Sequence, residues 1–159
     1  MRKVLLAGGL FAFPALVDVG QITAKADTVQ YDARLHKIEQ FFADRDCPLR
    51  DSAAVFLDAA DRNDLDWRLL PSISMVESSG GKDYRNNNVF GWDSCHESFS
   101  SVGEGIHYVA SQLANSKLYK NKNLDGKLRT YNSNPDYPHR VKAFMRVMDP
   151  GEKRRVAVN

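Results

Sequence analysis

The 159-residue chain holds 22 Lys and Arg against 20 Asp and Glu, a formal net charge of +2 at neutral pH. Its apolar fraction of 43% and charged fraction of 26% are those of a chain that can bury one core, which excludes a disordered or fibrous protein. The near-neutral balance argues against nucleic acid as a partner.

The chain opens on Arg2 and Lys3, runs apolar from Val4 to Val17, and reaches the small-x-small sequence Ala24-Lys25-Ala26. That order is expected of a secretory signal peptide over residues 1–26, and the apolar run is short for a membrane span. An uncleaved N-terminal anchor is the alternative. No cysteine follows the run to carry a lipid. Without residues 1–26 the chain has 19 basic and 19 acidic residues, so the mature protein is electrically balanced. Residues 80–159 hold 13 basic and 8 acidic side chains, so the second half is the better face for an anionic polymer.

Helical spacing of Leu35, Ile38, Phe41 and Phe42 predicts a first helix, ended by Cys47-Pro48. A second follows Asp51 or Ser52 as N-cap, with Val55, Phe56 and Ala59 inward. Asp66 can cap a third, in which Leu69, Leu70, Ile73 and Val76 form an apolar stripe and Pro71 falls early enough to be tolerated. Glu77 closes this helix, and Gly80-Gly81 terminate it. Residues 82–99 lack helical periodicity and are rich in Asn, Gly and aromatics, which predicts an ordered loop lobe or short hairpin. Ser101 and Glu104 fit a capping box ahead of a helix burying Ile106, Val109, Ala110 and Leu113. A short helix is expected over Leu124–Tyr131. A last one starts at Pro138, buries Val141, Phe144, Met145 and Met148, and stops at Asp149-Pro150-Gly151. Residues 150–159 are expected to form a flexible basic tail.

Two cysteines, Cys47 and Cys95, lie in the exported part, where one disulfide is the simplest expectation and two separate thiols the alternative. The chemistry concentrates around Glu77. A carboxyl at the end of a buried helix is driven toward its protonated form by desolvation and by the negative helix terminus, as a general acid requires. A solvated glutamate at a fraying end is the competing possibility. Tyr84, Phe90 and Trp92 offer flat faces for sugar rings, and Asn86, Asn87 and Asn88 offer amides that donate and accept. The same residue types also serve as core aromatics and turn asparagines. A serine-hydrolase elbow and a zinc-binding H-E-x-x-H are absent from the sequence, and His96, His107 and His139 suit structural or surface positions.

The ordered set "DWRLLPSISMVESSGGK", "NNVFGW", "SFSSVGEGIHYVASQL" and "YNSNPDYPHRV" resembles the lysozyme-like superfamily, in particular its bacterial glucosaminidase and transglycosylase-like branches, over about residues 60–148. The resemblance implies a mainly α, lysozyme-like α+β domain over residues 27–149, with a small loop or hairpin lobe flanking a sugar cleft. It places Glu77 as the catalytic acid, Tyr131 as the tyrosine near it, and Asn88, Phe90, Trp92 and Tyr84 on the glycan. "NNVFGW" in place of a "GLMQ"-like stretch favours the glucosaminidase-like branch. The second carboxylate would come from Asp83, Asp93 or Glu97, with Glu97 first.

The expected activity is hydrolysis of β-1,4 bonds in peptidoglycan by an exported, secreted or periplasmic monomer needing no cofactor and no metal. No stable membrane insertion is expected after signal cleavage. A lytic transglycosylase using the same acid, or a glycan-binding or assembly protein without turnover, are the alternatives.

Overall fold

The computed structural model describes residues 32–151; the expected signal segment 1–26 and the tail beyond Gly151 lie outside them. Six α-helices carry the described chain: α1 Ala33–Ala43, α2 Ala53–Arg62, α3 Leu69–Ser78, α4 Val102–Asn115, α5 Leu124–Tyr131 and α6 Tyr137–Met148. Two 3-10 turns, Pro48–Ser52 and Trp92–Cys95, join them. None of the described helices is long and apolar enough to cross a membrane.

The helices form where the apolar period and the caps agree. Asp32 accepts from the Arg34 backbone N–H at 2.9 Å to start α1, and Ile38, Phe41 and Phe42 then fall on one buried face. Arg34 also reaches across to Asp61 of α2 at 2.7 and 2.9 Å. Asp66 accepts from the Arg68 backbone N–H at 3.0 Å, holding the turn that leads into α3. At α4 the predicted capping box is half made. Ser101 Oγ accepts from the Glu104 N–H at 3.1 Å, but Glu104 Oε2 accepts from the Ser100 N–H and hydroxyl, both at 2.6 Å.

Helix α3 is the axis of the domain. Every residue from Leu69 to Ser74 is buried, so the expected stripe is a helix enclosed on nearly all sides, packed between α2 and α6. Its buried hydroxyls turn back on the helix: Ser74 Oγ donates to Pro71 O and Ser78 Oγ to Ser74 O, both at 2.9 Å. Phe42, Phe56 and Phe90 continue the core, with ring centroids 5.6 and 6.3 Å apart along that order.

Ser79, Gly80 and Gly81 all take positive φ, which ends α3 abruptly. The two glycines face away from Glu77. A Cβ on Gly80 would lie 2.5 Å from Cys47 Sγ, and one on Gly81 2.7 Å from Leu49 Cγ, so they seat the chain around the first 3-10 turn.

Between α3 and α4, residues 82–99 form a loop lobe. The one β feature among the described residues is the isolated bridge Arg85–Asn88, so the hairpin alternative is not what forms. The lobe leans on α4, where Gly105 lets Phe99 approach: a Cβ there would meet the Phe99 ring at 2.8 Å.

Candidate active site

The lobe, the last turn of α3, α4, and the segment through α5 enclose a cleft of about 520 Å³. Its lining includes Glu77, Gly91, Trp92, Asp93, Glu97 and Tyr131, with Tyr108, Tyr119, Ser94 and Asn132 completing the walls. A cleft of that volume suits a sugar-sized ligand.

Glu77 enters from the end of α3 and is half-buried. Its Oε1 is buried without a hydrogen-bond partner. Burial pushes its carboxyl above the ordinary glutamate value, while the nearby Tyr137 hydroxyl and the Arg140 charge pull the other way without cancelling the rise. Tyr137 Oη is itself buried and makes no hydrogen bond of regular geometry, yet it lies close enough to Glu77 for a hydrogen-bonding interaction to lower the carboxyl and raise the phenol.

The other carboxyl oxygen, Oε2, lies beside Gly91: a Cβ built there would stand 3.2 Å from it. Gly91 has φ 60°, a left-handed conformation that glycine adopts freely. The space beside the acid thus comes from Gly91, a residue the sequence reading passed over.

Tyr131, at the end of α5, lines the cleft and donates its hydroxyl proton to Phe90 O at 2.6 Å. That donor is committed to the backbone and is not spent on Glu77. Burial, with the Glu77 charge next, drives the Tyr131 phenol well above its ordinary value, which keeps it neutral. Tyr137 stacks flat on it, with centroids 5.7 Å apart and planes 7° from parallel.

Trp92 gathers the remaining aromatics. Its ring meets Tyr131 at 5.6 Å, Tyr119 at 5.9 Å and Tyr108 at 6.3 Å, making an aromatic wall drawn from four segments. Tyr108 and Tyr119 were not foreseen as site residues. Tyr108 sits between the inward Ile106 and Val109, where periodicity alone marks a boundary position, and Tyr119 stands in a connection with no periodicity to interpret.

Two expected substrate contacts, Phe90 and Asn88, are corrected, and a third, Tyr84, stands apart from the cleft lining. Phe90 is fully buried in the core against Phe56 and offers no face to a ligand. Asn88 is 1% exposed: its Nδ2 donates to Trp92 O at 2.9 Å and Glu97 O at 3.2 Å, and its Oδ1 accepts from the Trp92 N–H at 2.9 Å. Tyr84 is exposed but lies outside the cleft lining.

The neighbouring asparagines share the fate of Asn88. Asn86 Nδ2 donates to Cys95 O at 3.1 Å and Asn87 Nδ2 to Phe99 O at 2.8 Å. Both have φ above 50°, which asparagine tolerates better than most residues. The triplet is therefore the internal brace of the loop that carries Trp92, Asp93 and Glu97.

Of the three competing carboxylates, Asp93 and Glu97 line the cleft and Asp83 does not. The expected disulfide is also corrected: Cys47 and Cys95 are both free thiols. Cys47 is buried, with Sγ 3.4 Å from the carbonyls of Arg45 and Ser79 and 3.7 Å from Met75 Sδ. Cys95 closes the second 3-10 turn, in the lobe beyond α3.

Comparison with protein-family models, curated protein sequences and solved structures finds no match to this chain.

Proposed function

We propose that this protein is a lysozyme-like peptidoglycan hydrolase that cleaves β-1,4 glycosidic bonds, of the glucosaminidase or muramidase type, with Glu77 as general acid. The observation that carries the proposal is the placement of Glu77. Its carboxyl is half-buried at the end of an enclosed helix, held toward the protonated form, and its Oε2 lies beside Gly91 in a cleft walled by Trp92, Tyr108, Tyr119 and Tyr131.

A protonated carboxyl there gives its proton to the glycosidic oxygen as the C–O bond breaks. Positive charge developing on the sugar is met by a carboxylate from the loop lobe or by the substrate's own N-acetyl group. Glu97 and Asp93 are the two carboxylates positioned on the cleft to do so. The aromatic wall supplies stacking surface for the flanking sugars. The protein would act outside the cytoplasm, secreted or periplasmic, as a monomer on wall glycan.

The test is mass spectrometry of soluble fragments released from purified peptidoglycan by the protein and by Glu77→Gln in parallel. Reducing GlcNAc or MurNAc ends from the unaltered protein alone would support hydrolysis and name the bond. Anhydro-MurNAc ends would reassign it as a lytic transglycosylase. Binding by both proteins with release by neither would leave a glycan-binding module.

A further inference from the structure

Two buried polar atoms make no hydrogen bond of regular geometry, Oε1 of the cleft-lining Glu77 and Oη of Tyr137. They belong to α3 and α6, which pack against each other along the domain. A buried polar group left unpaired costs about 1–3 kcal/mol, so a neighbouring pair of orphans is a configuration a protein leaves readily. Each lacks what the other has: an ionised carboxylate oxygen accepts, and a phenol donates.

We infer that Tyr137 is the positioning residue for Glu77, donating its hydroxyl proton to Oε1 when the carboxyl is ionised and so reserving Oε2 for proton exchange in the cleft. The inference rests on the proposed role of Glu77 as acid and assigns its two oxygens different work. While Glu77 holds its proton, the pair stands as it does here, without a hydrogen bond of regular geometry. When Oε2–H gives its proton to the leaving sugar oxygen, the carboxylate left behind gains the Tyr137 hydrogen bond. When water attacks the sugar, its proton returns to Oε2 and the bond lapses.

Tyr137 is suited to this task by its surroundings. It is 1% exposed, and its ring is clamped flat against Tyr131, so the hydroxyl is confined to a small arc. The Tyr131 hydroxyl is bound to Phe90 O and does not compete. Burial holds the Tyr137 phenol far above its ordinary value, so it donates without ionising. The other charged or titratable groups around the acid are Arg140 of α6, Tyr131 of α5, and Asp93, Glu97, Tyr108 and Tyr119 on the cleft walls.

The test needs no turnover. The Glu77 side-chain carboxyl is followed by carbon NMR against pH in the full chain and in Tyr137→Phe, which keeps the ring and removes the donor. Loss of a hydrogen bond to the charged form predicts an upward shift of the Glu77 midpoint by about one pH unit. If the variant also cleaves glycan, the alkaline limb of kcat/KM moves up with it. A second variant carrying 3-fluorotyrosine at position 137, a stronger donor of the same shape, is expected to move the midpoint down.

An unmoved midpoint in both variants overturns the inference and leaves Tyr137 a packing residue. Should the peptidoglycan assay fail while the midpoints move as expected, the hydrolase proposal falls and the coupling stands. The two failures are thereby distinguishable.

Discussion

Gly91 and Glu77 are matched: a Cβ at position 91 would stand 3.2 Å from Glu77 Oε2, and the backbone there has the left-handed φ of 60°. Gly91→Ala is therefore expected to strain the loop by about 1 kcal/mol and to crowd the carboxyl oxygen beside it. Fragment release should fall at least about tenfold while the melting temperature moves only a few degrees. Full activity in the alanine variant would show that the space beside Oε2 is not used.

Glu77→Gln should stabilise the protein, in a pH-dependent way. Burial raises the native carboxyl above the ordinary glutamate value of 4.5, so above pH 4.5 the native state binds more protons than the unfolded chain. The stability that the proton confers is fully present below 4.5 and is lost as pH rises through the native value. Glutamine carries no charge to desolvate, so the variant should be more stable than the unaltered protein at pH 8 and match it near pH 4. Thermal unfolding at the two pH values measures this, and an equal gap at both would remove burial of the charge as the cause.

Asn88→Ala should loosen the cleft wall. It deletes three hydrogen bonds, to Trp92 O, Glu97 O and the Trp92 N–H, from a site that is 1% exposed. A loss of about 2 kcal/mol is expected, together with red-shifted Trp92 emission and faster proteolysis within residues 91–98. Weak glycan binding with unchanged emission and stability would instead make Asn88 a ligand contact.

Both thiols should titrate with an aromatic disulfide reagent. Cys95 is half-buried and should react in the native protein. Cys47 is buried, and burial raises its thiol above the ordinary value, so it should react only on unfolding. Reductant should leave the melting temperature unchanged. A fall of several degrees on reduction would indicate the cross-link that the free thiols argue against.

The helices were legible in the sequence because helical order is local. Ile38, Phe41 and Phe42, and later Ile106, Val109, Ala110 and Leu113, repeat at the helical period and are buried as expected. The position of Glu77 at the end of an apolar helix was legible for the same reason. Pro138 marked the start of α6 to within one residue.

The loop lobe was legible only as a lobe. The Asn and aromatic residues of 82–99 pointed to a sugar site, yet Phe90 went to the core and Asn86, Asn87 and Asn88 were spent on the backbone of residues 92–99. Trp92 alone of the three named aromatics reached the cleft. A loop has no period to say which side chain faces inward, so composition marks the region and not the roles.

By itself the sequence determined six amphipathic segments, their ends, and an acid at the close of the most apolar one, since spacing and capping act over a few residues. Only the tertiary structure decided which groups meet that acid. Gly91, Tyr131 and Tyr137 come to Glu77 from 14, 54 and 60 residues further along the chain, through the packing of α3, α5, α6 and the lobe. Contacts at such separations are selected by how buried faces fit together, and no local pattern encodes that fit.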